Sequence, residues 1–371
     1  MKKIVLLFSI FCCNLIFAQS RGPETVYYPT LEDPKSFSMI MVADPQAYVK
    51  FAMNQPLFEF QTAWIAQNVQ RLNIKAALFT GDMVEQNNKL ISKPLPERYN
   101  NGDQTSRQQW EAVSRGLSRL DNKLPYIVCQ GNHDLGHIAA EYRYSMMPEF
   151  IYPERNSTLA DVLVSTGTNY QGIHTMENAA FEFVDRAWGR MLVIAFEFAP
   201  RDEALEWARQ LIESPRFRNH KVFILIHSFL NTKGERYVTE NYKLTPRNWA
   251  QAIWDKLIYP SKNIYMVLCG HSGEPANLRD LNKVDYQPTV SYREDKAADG
   301  HNVVQMMFNS QHGDGSWNGN GGDGWLRILE FKPDGKTIGV RTFSPFFAHS
   351  KRTQSLAWRT ESYDQFEITI E

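Results

Sequence analysis

The residues of this chain that could do chemistry share a local pattern, in which an apolar run ends in a carboxylate, an amide or an imidazole. The clearest case is Gly131-Asn132-His133-Asp134, which follows the apolar run Leu124 to Cys129. A short apolar run bounded by turn residues is typical of a buried strand, and the glycine allows a sharp turn after it. Alone, this tetrapeptide is weak evidence, because ordinary turns also prefer Gly, Asn and Asp. Four further positions repeat the pattern: Asp44, Asp82, His227 and His271.

Together these five strand ends form a pattern of metal ligands. In α/β sheets, binding sites form in the crevice beyond the carboxyl ends of the strands. Each residue has an ordinary structural interpretation when taken singly, since Gly-Asp usually marks a turn and a buried histidine usually belongs to the core. Their joint occurrence predicts a shared site instead. Carboxylate, amide and imidazole ligands suit Zn, Mn or Fe and do not distinguish among these metals.

The elements that must position these residues alternate between strands and helices before the chain becomes mostly β. Apolar runs predict strands over Ser36–Ala43, Ile74–Thr80, Ala180–Asp185, Met191–Phe198, Val222–Ile226 and Ile264–Cys269. Helical spacing of apolar residues predicts helices over Leu57–Leu72, Gln104–Leu120, Arg201–Ile212 and Trp249–Leu257. The last part predicts strands over Asn302–Phe308, Trp325–Phe331, Thr337–Phe343 and Phe366–Ile370. This order predicts a four-layer α-β-β-α sandwich, with two mixed sheets face to face and helices outside.

The composition is that of a globular protein, and length alone would suggest two domains. The chain has 371 residues, of which 43% are hydrophobic, and a formal net charge of −1. Open α/β folds often include this much chain, so we expect residues 19–371 to form a single domain. Residues 137–180 lack strong periodicity, and we expect them to be an insertion that covers the site. The near-neutral charge and the lack of a dense Lys/Arg patch argue against a nucleic-acid partner.

Residues 1–18 have the pattern of a cleaved signal peptide. Lys2-Lys3 precedes the apolar run Ile4–Phe17, and a small residue follows at position 18. The run is too short to span a bilayer comfortably, and its two cysteines lack a convincing lipobox, so we expect cleavage rather than a lipid anchor. The mature chain would be secreted or periplasmic and have no transmembrane helix. It would keep Cys129 and Cys269, which could pair but which both follow predicted buried strands, where a free cysteine behaves as a small hydrophobe.

The five strand ends resemble the motifs of the calcineurin-like metallophosphoesterase family, which are Asp-x-His, Gly-Asp, Gly-Asn-His-Asp/Glu, His and Gly-His-x-His. The resemblance covers Ser36 to Phe343 in the same order. Gln61–Trp64, Glu197–Asp202 and Gly321–Arg327 also resemble a secreted bacterial branch of that family. The resemblance implies a secreted phosphoesterase that uses divalent metal ions, two in number. Its partner would be a small-molecule phosphate ester, either a phosphomonoester or a phosphodiester.

The resemblance also implies a role for each metal ligand. Asp82 would bridge the two cations, Asn132, His227 and His271 would complete one site, and Asp44 would belong to the other. Two cations close together neutralise charge on the phosphoryl oxygens and provide a metal-bound hydroxide for in-line attack on phosphorus. His133 and its neighbours have a different role, described next.

By the same resemblance, His133 would not bind metal but would face the phosphate and stabilise or protonate the leaving oxygen. Glu85, three residues after Asp82, is placed to orient His133, and Asp134 is an alternative for that role. These three residues are therefore the predicted catalytic group.

The chain departs from the family pattern at two positions. Asp44-Pro45-Gln46 stands where the family has Asp-x-His, and Gly273 stands where it has the second His of Gly-His-x-His. Gln46 can still ligate through its amide oxygen, a weaker and harder donor. We therefore expect the Asp44 site to be the weaker one, filled by Mn, Mg or Ca or only with substrate present. Glu274 and His312 are candidate replacement ligands.

A loop after a late strand is the predicted substrate contact. Asn309, Gln311 and His312 resemble an Asn-x-Gln loop of the secreted branch, although a glycine-rich hairpin loop is an equal alternative. Two other functions stay open at this stage. The departures at Gln46 and Gly273 favour a non-catalytic metal- and phosphate-binding protein on the same fold. A wide, shallow cleft would favour a protein Ser/Thr phosphatase.

Overall fold

The chain forms fourteen strands within the residues that the structure describes. This computed structural model describes residues 28–89, 102–273, 289–310 and 322–371. In chain order the strands are β1 (Phe37–Val42), β2 (Ile74–Phe79), β3 (Tyr126–Val128), β4 (Leu163–Thr168), β5 (His174–Asp185), β6 (Gly189–Ala195), β7 (Lys221–Leu225), β8 (Ile264–Cys269), β9 (Val290–Lys296), β10 (Asn302–Phe308), β11 (Leu326–Phe331), β12 (Thr337–Phe343), β13 (Trp358–Arg359) and β14 (Gln365–Thr369).

Three of the helices have 12 or 14 residues, and the others have four to six. They are α1 (Gln46–Val49), α2 (Gln55–Asn68), α3 (Ser106–Leu117), α4 (Met147–Phe150), α5 (Ser157–Val162), α6 (Asp202–Glu213), α7 (Ala250–Ile253) and α8 (Pro345–Ala348). A π-helical turn, Trp254–Ile258, continues α7. The start of α3 is set by a capping box, in which the Thr105 side chain accepts from the Gln108 N–H and the Gln108 side chain accepts from the Thr105 N–H. Within the described ranges, none of these helices is both long enough and apolar enough to cross a bilayer.

The strands assemble into two seven-stranded mixed sheets. The first has the order β13-β12-β11-β1-β2-β3, with β14 also paired to β12, and its β1, β2 and β3 are parallel. The second has the order β4-β5-β6-β7-β8-β10-β9, with β6, β7, β8 and β10 parallel. Phe223 of the second sheet lies 5.9 Å from Phe331 of the first, ring centroid to ring centroid, in the core between the sheets.

Helices cover the outer faces of both sheets. Apolar residues of α6 and the α7 region, such as Leu205 and Leu257, pack on the outer face of the second sheet against Ile194 and Ile224. Phe58 of α2 packs edge to face on Phe79 of the first sheet, with centroids 6.3 Å apart. Strands buried on both faces need apolar residues at consecutive positions, which explains their continuous apolar runs. The predicted class, two mixed sheets with flanking helices, is confirmed.

The segment 137–180, expected to be an insertion over the site, also contributes to the second sheet. Its last part forms β4 and the start of β5, which pair antiparallel at the edge of that sheet. The β4 sequence Leu-Val-Ser-Thr-Gly-Thr has only one buried residue. An edge strand of this kind lacks the apolar run that marks a central strand, so periodicity did not reveal it. The predicted signal peptide, residues 1–18, lies outside the described residues.

Candidate metal centre

The predicted ligands meet in a crevice at the carboxyl ends of the parallel strands of both sheets. Asp44, Asp82 and Asn132 follow β1, β2 and β3 of the first sheet, and His227 and His271 follow β7 and β8 of the second. Parallel neighbouring strands end at the same edge of a sheet, which is why residues distant in sequence become neighbours here. All of them are buried except His271, which is partly exposed.

Three donor atoms converge around a fourth, His227 Nε2. It lies 3.2 Å from Asp82 Oδ2, 3.0 Å from Asn132 Oδ1 and 3.1 Å from His271 Nδ1. The ligating atoms of Asp82, His227 and His271 lie within 4.8 Å of one another. One carboxylate oxygen, one amide oxygen and two imidazole nitrogens are a donor set that suits Zn, Mn or Fe.

The tautomer of His227 supports a cation at this point. Its Nδ1 lies 2.7 Å from the carbonyl oxygen of Thr80. A carbonyl oxygen only accepts, so Nδ1 carries the hydrogen and Nε2 is left to face the oxygens of Asp82 and Asn132 and the ring nitrogen of His271. Acceptor atoms this close together require a proton or a cation between them.

The electrostatics of the same residues indicate this need for positive charge. Burial opposes charge on His227, but Asp82 and Asp44 outweigh it and raise the pKa of His227 to about 10. Burial also opposes charge on Asp82 and by itself would raise its pKa. The neighbouring His227 and His133 outweigh burial and lower the pKa of Asp82 to about 2. Without a cation, a proton on His227 therefore balances the charge of Asp82. The residues present thus fit a divalent cation.

The backbone around these donors is strained and closely packed. Asp82 and His271 adopt positive φ values of 48° and 68°, in the left-handed region that side chains other than glycine rarely occupy. A Cβ on Gly131 would lie 2.2 Å from Asp82 Oδ1, and a Cβ on Gly270 would lie 2.3 Å from Asp44 Oδ1. Glycine is therefore required at both positions. Backbone strain of this kind persists where surrounding structure enforces it, often at functional sites.

Asp44, predicted to hold the second cation, is already surrounded by hydrogen-bond donors. Its Oδ1 accepts from Thr80 Oγ1 at 2.7 Å, and its Oδ2 accepts from the His271 N–H at 2.9 Å and from Asn309 Nδ2 at 2.8 Å. Burial raises the pKa of Asp44 to about 6, against the opposing effect of His227. Asn309 was predicted to contact substrate. That role stays a prediction; the residue directly follows β10 and is fully buried, and its amide supports Asp44.

Gln46, the other predicted ligand of the second site, presents an acceptor without a partner. Its Nε2 donates to Glu85 Oε2 at 3.2 Å, and Lys50 Nζ donates to the same oxygen at 3.2 Å. This contact fixes the orientation of the amide. Gln46 Oε1 is buried and has no hydrogen-bond partner among the described residues. A buried carbonyl oxygen of this kind is costly unless a cation or a water satisfies it.

His133 is tied to the site by two hydrogen bonds. Its N–H donates to Asp82 Oδ1 at 2.8 Å, and its ring Nδ1 lies 2.7 Å from the carbonyl oxygen of Glu85. Glu85 was predicted to orient His133 with its carboxylate. The contact comes from its backbone instead, because the Glu85 carboxylate pairs with the buried Lys50. Burial opposes charge on His133, but the carboxylates of Asp82 and Glu85 raise its pKa.

Asp134, the alternative for orienting His133, has a different place. Its Oδ2 accepts from the Gly131 N–H at 2.8 Å, and its Oδ1 accepts from the Val84 N–H at 3.1 Å. The carboxylate therefore joins the loop after β3 to the loop after β2. Burial raises the pKa of Asp134 to about 7, with a further contribution from Asp82. Asp134 supports the backbone of the site rather than the His133 ring.

The structure adds one residue that the sequence did not indicate, Glu240. Its Oε1 lies 2.8 Å from His271 Nε2, and its Oε2 accepts from Ser228 Oγ at 2.7 Å. Glu240 follows no apolar run, and a polar stretch of chain surrounds it, so no sequence signal could have selected it. The predicted residues Glu274, Gln311 and His312 lie outside the described residues. Cys129 and Cys269 are buried and free.

Comparison with curated proteins finds distant similarity. No family model matches the chain. The uncharacterized protein YvnB of Bacillus subtilis (strain 168) is 22% identical over 339 residues, which cover 90% of this chain. The same match covers 22% of YvnB, so this chain spans about a fifth of the length of that relative.

Comparison with solved structures finds weak overall superposition. A dimetal phosphatase from Danio rerio has a TM-score of 0.44 at 9% identity, covering 91% of this chain and 100% of that one. GAP50, the anchor in the inner membrane complex of Plasmodium, has a TM-score of 0.43 at 10% identity, covering 91% and 89%. PhoD has a TM-score of 0.39 at 11% identity, covering 85% and 67%. At these values the function must be argued from the residues of this chain.

Proposed function

We propose that this chain is a metal-dependent phosphoesterase that hydrolyses a small phosphomonoester or phosphodiester. The observation that supports this most strongly is the position of Asp82 between two kinds of group. Its Oδ2 is one of the three donor atoms around His227 Nε2, and its Oδ1 accepts from the backbone N–H of His133. One carboxylate therefore connects a cation site to the backbone of His133, the residue whose imidazole can move a proton.

The cations would be held by two sets of residues that differ in chemistry. Asp82, Asn132, His227 and His271 would hold the first, and Asp44 and Gln46, with Asp82 shared, would hold the second and weaker one. When bound, such cations neutralise negative charge on phosphoryl oxygens and lower the pKa of water. The unpartnered Gln46 Oε1 supports the second position, since that oxygen lacks any hydrogen bond among the described residues.

His133 would act on the leaving group. The carbonyl oxygen of Glu85 accepts from Nδ1, so the opposite nitrogen, Nε2, is the atom that can pass a proton to the leaving oxygen. Asp82 accepts from the backbone N–H of His133, and the Glu85 carbonyl accepts from its ring. The ring is therefore held in one orientation. Residues 1–18, with their basic and then apolar sequence, support export of the protein.

The experiment that tests this function combines metal content with turnover. We would quantify bound metals and assay an aryl phosphate and a bis-aryl phosphate with added Mn²⁺, Zn²⁺, Mg²⁺ or Ca²⁺. We expect turnover that depends on added metal, and a fall of roughly 10²–10⁴ in kcat for His133→Ala with metal binding retained.

His137→Ala is the matched control for that variant. His137 lies on the same loop and its Nδ1 also contacts a carbonyl oxygen, that of Asn88 at 3.1 Å, but it is exposed. We expect kcat of His137→Ala to stay within twofold of the parent. An equal loss in both variants would contradict the role of His133.

The alternative function is a non-catalytic metal-binding protein on the same fold. The observation that favours it is the hydrogen bonding of Asp44, whose two oxygens already accept from three donors. That alternative predicts tight binding of one cation at the four-donor site and no turnover of either ester with any of the four metals. This result would overturn the proposed phosphoesterase.

A further inference from the structure

Glu240 approaches the candidate metal centre from a segment that belongs to neither sheet. The segment 229–249 connects the loop after β7 to α7 and passes over the edge of the site. The Glu240 side chain is only 6% exposed, and its Oε1 lies 2.8 Å from His271 Nε2. A buried carboxylate needs partners that compensate its loss of hydration, and His271 provides one of them.

The second oxygen of Glu240 is fixed by the residue next to another predicted ligand. Ser228, which directly follows His227, donates from Oγ to Glu240 Oε2 at 2.7 Å. Both carboxylate oxygens are therefore used, and the carboxylate has a defined orientation toward His271. Through these two contacts, the Glu240 side chain links the chain that follows β7 to the chain that follows β8.

This geometry determines which ring nitrogen of His271 carries the hydrogen. An ionised carboxylate only accepts, so His271 Nε2 carries the hydrogen and donates it to Glu240. The other nitrogen, Nδ1, then presents its lone pair at 3.1 Å from His227 Nε2, in the middle of the donor set. The Thr80 carbonyl acts on His227 in the same way. Each imidazole thus has one ring nitrogen beside an acceptor oxygen, and it directs its other ring nitrogen toward the donor set.

Aromatic rings enclose this contact and limit its exposure to water. The rings of Phe198, Tyr237 and Tyr242 lie 6.3, 5.9 and 6.3 Å from the His271 ring, centroid to centroid. A hydrogen bond between a carboxylate and an imidazole is stronger in such an apolar surrounding than in water. The surroundings therefore favour one fixed tautomer over rapid exchange between two.

We propose that Glu240 is a positioning residue for the candidate metal centre, which holds His271 in the tautomer that directs Nδ1 toward the cation. The inference rests on the cation-binding part of the proposed function and extends it to a residue outside the predicted ligand set. A carboxylate behind a ligating histidine orients the ring and increases its basicity as a ligand.

The first measurement uses the parent protein and needs no variant. Nitrogen-15 NMR of the labelled histidines in the metal-free protein reports which ring nitrogen is protonated. We expect His271, assigned by comparison with His271→Gln, to carry its hydrogen on Nε2. A hydrogen on Nδ1 would overturn the proposal, whatever the variants do.

The second measurement is the affinity for Zn²⁺ and Mn²⁺, determined by calorimetric titration without any substrate. We expect Glu240→Ala to bind both metals roughly 10–100-fold more weakly than the parent. Glu235→Ala is the matched control, because Glu235 lies on the same segment but is exposed, and its Oε2 accepts from Asn231 Nδ2 at 3.1 Å, away from His271. We expect its affinity to stay within twofold.

These readouts separate this inference from the proposed function. An unchanged affinity in Glu240→Ala, at parent levels of thermal stability, would overturn the positioning role even in an active enzyme. A parent protein that binds Zn²⁺ but hydrolyses neither ester would contradict the phosphoesterase alone, and the affinity ratio would still decide the role of Glu240.

Discussion

The two halves of the candidate site differ in how the protein satisfies their polar atoms. On the imidazole side, Asp82, Asn132, His227 and His271 direct acceptor atoms at one another, with few donors between them. On the other side, Asp44 accepts three hydrogen bonds from the protein itself. The first half needs a positive charge to hold it together, and the second half is largely complete without one.

This difference teaches that a set of ligand-type residues is not by itself a metal site. What matters is how many acceptor lone pairs the fold leaves without donors. A carboxylate has about four lone-pair sites, so the three donors around Asp44 leave little capacity for a cation. Gln46 Oε1 is the atom on that side that stays without a partner among the described residues. We therefore expect one tight and one weak cation position.

The largest effect is expected for His227→Ala. His227 Nε2 is the atom on which the other three donors converge, so its loss should weaken Zn²⁺ binding at the tight position by about 100-fold or more. The measurement is a Zn²⁺ titration against a competing chelator. His220→Ala is the control, since His220 is also buried and lies just before β7, but it contacts Glu182 far from the site. Equal losses in the two variants would show that the effect is structural.

A smaller effect that separates the two halves is expected for Asp44→Asn. The pKa of Asp44 in the folded protein is raised to about 6, above its ordinary value of 3.8. Ionisation therefore costs more in the folded state, and the stability of the metal-free protein that depends on this group falls as pH rises from about 4 through 6. Asp44→Asn removes this dependence. We expect its stability relative to the parent to improve over that pH range, by an amount on the order of 3 kcal/mol.

Asp44→Asn should no longer bind the cation at the weak position. Its affinity for the cation at the tight position should stay within threefold of the parent. Urea unfolding at several pH values and a metal titration measure the two effects. Asp134→Asn is the matched control, because Asp134 is equally buried and its pKa is also raised, to about 7, by burial, yet it only accepts from backbone N–H groups of two loops. It should keep both cations. Loss of the tight cation in Asp44→Asn would contradict the division into two halves.

The smallest effect is expected for Gln46→Met. Methionine fills similar space without a carbonyl oxygen, so the metal-free protein should be no less stable than the parent, because a buried unsatisfied acceptor costs about 1–3 kcal/mol. The weak cation should bind roughly three- to tenfold less tightly, as a neutral amide oxygen is a modest ligand. Gln61→Met is the control, since Gln61 Oε1 is also buried and has no partner in the described part of the chain, while its Nε2 donates to the carbonyl oxygens of Gly324 and Trp325. An unchanged weak site would exclude Gln46 as a ligand.

Local sequence pattern was sufficient for most of the fold. The bounds of β8, β10 and β12 agree with the predicted ones, because these strands are mostly buried and most of their buried positions carry apolar side chains. The edge strand β4 and the charged edge strand β9, with sequence Val-Ser-Tyr-Arg-Glu-Asp-Lys, were missed. One face of an edge strand meets solvent, which removes the apolar signal.

The candidate site was predictable only where a residue follows a strand directly. The five strand ends lie together in the structure, since the turn after each apolar run fixes where its polar residue emerges. The contacts of Glu85 and Glu240 were not predictable in this way. Lys50 and His271, their partners, are 35 and 31 positions away, and no periodicity relates the members of either pair. Only the packed fold brings such charges together.

The long connections that build this site also determine when it can form. Asp44 accepts from residues 227 and 265 positions later in the chain, so the donors meet only after both sheets have docked. Contacts this distant in sequence close late in folding. A cation that needs this geometry would bind the finished protein and not a partial chain, and it would stabilise the native state in proportion to the logarithm of its concentration. Metal supply would thus set the equilibrium stability of the folded protein as well as the occupancy of the site.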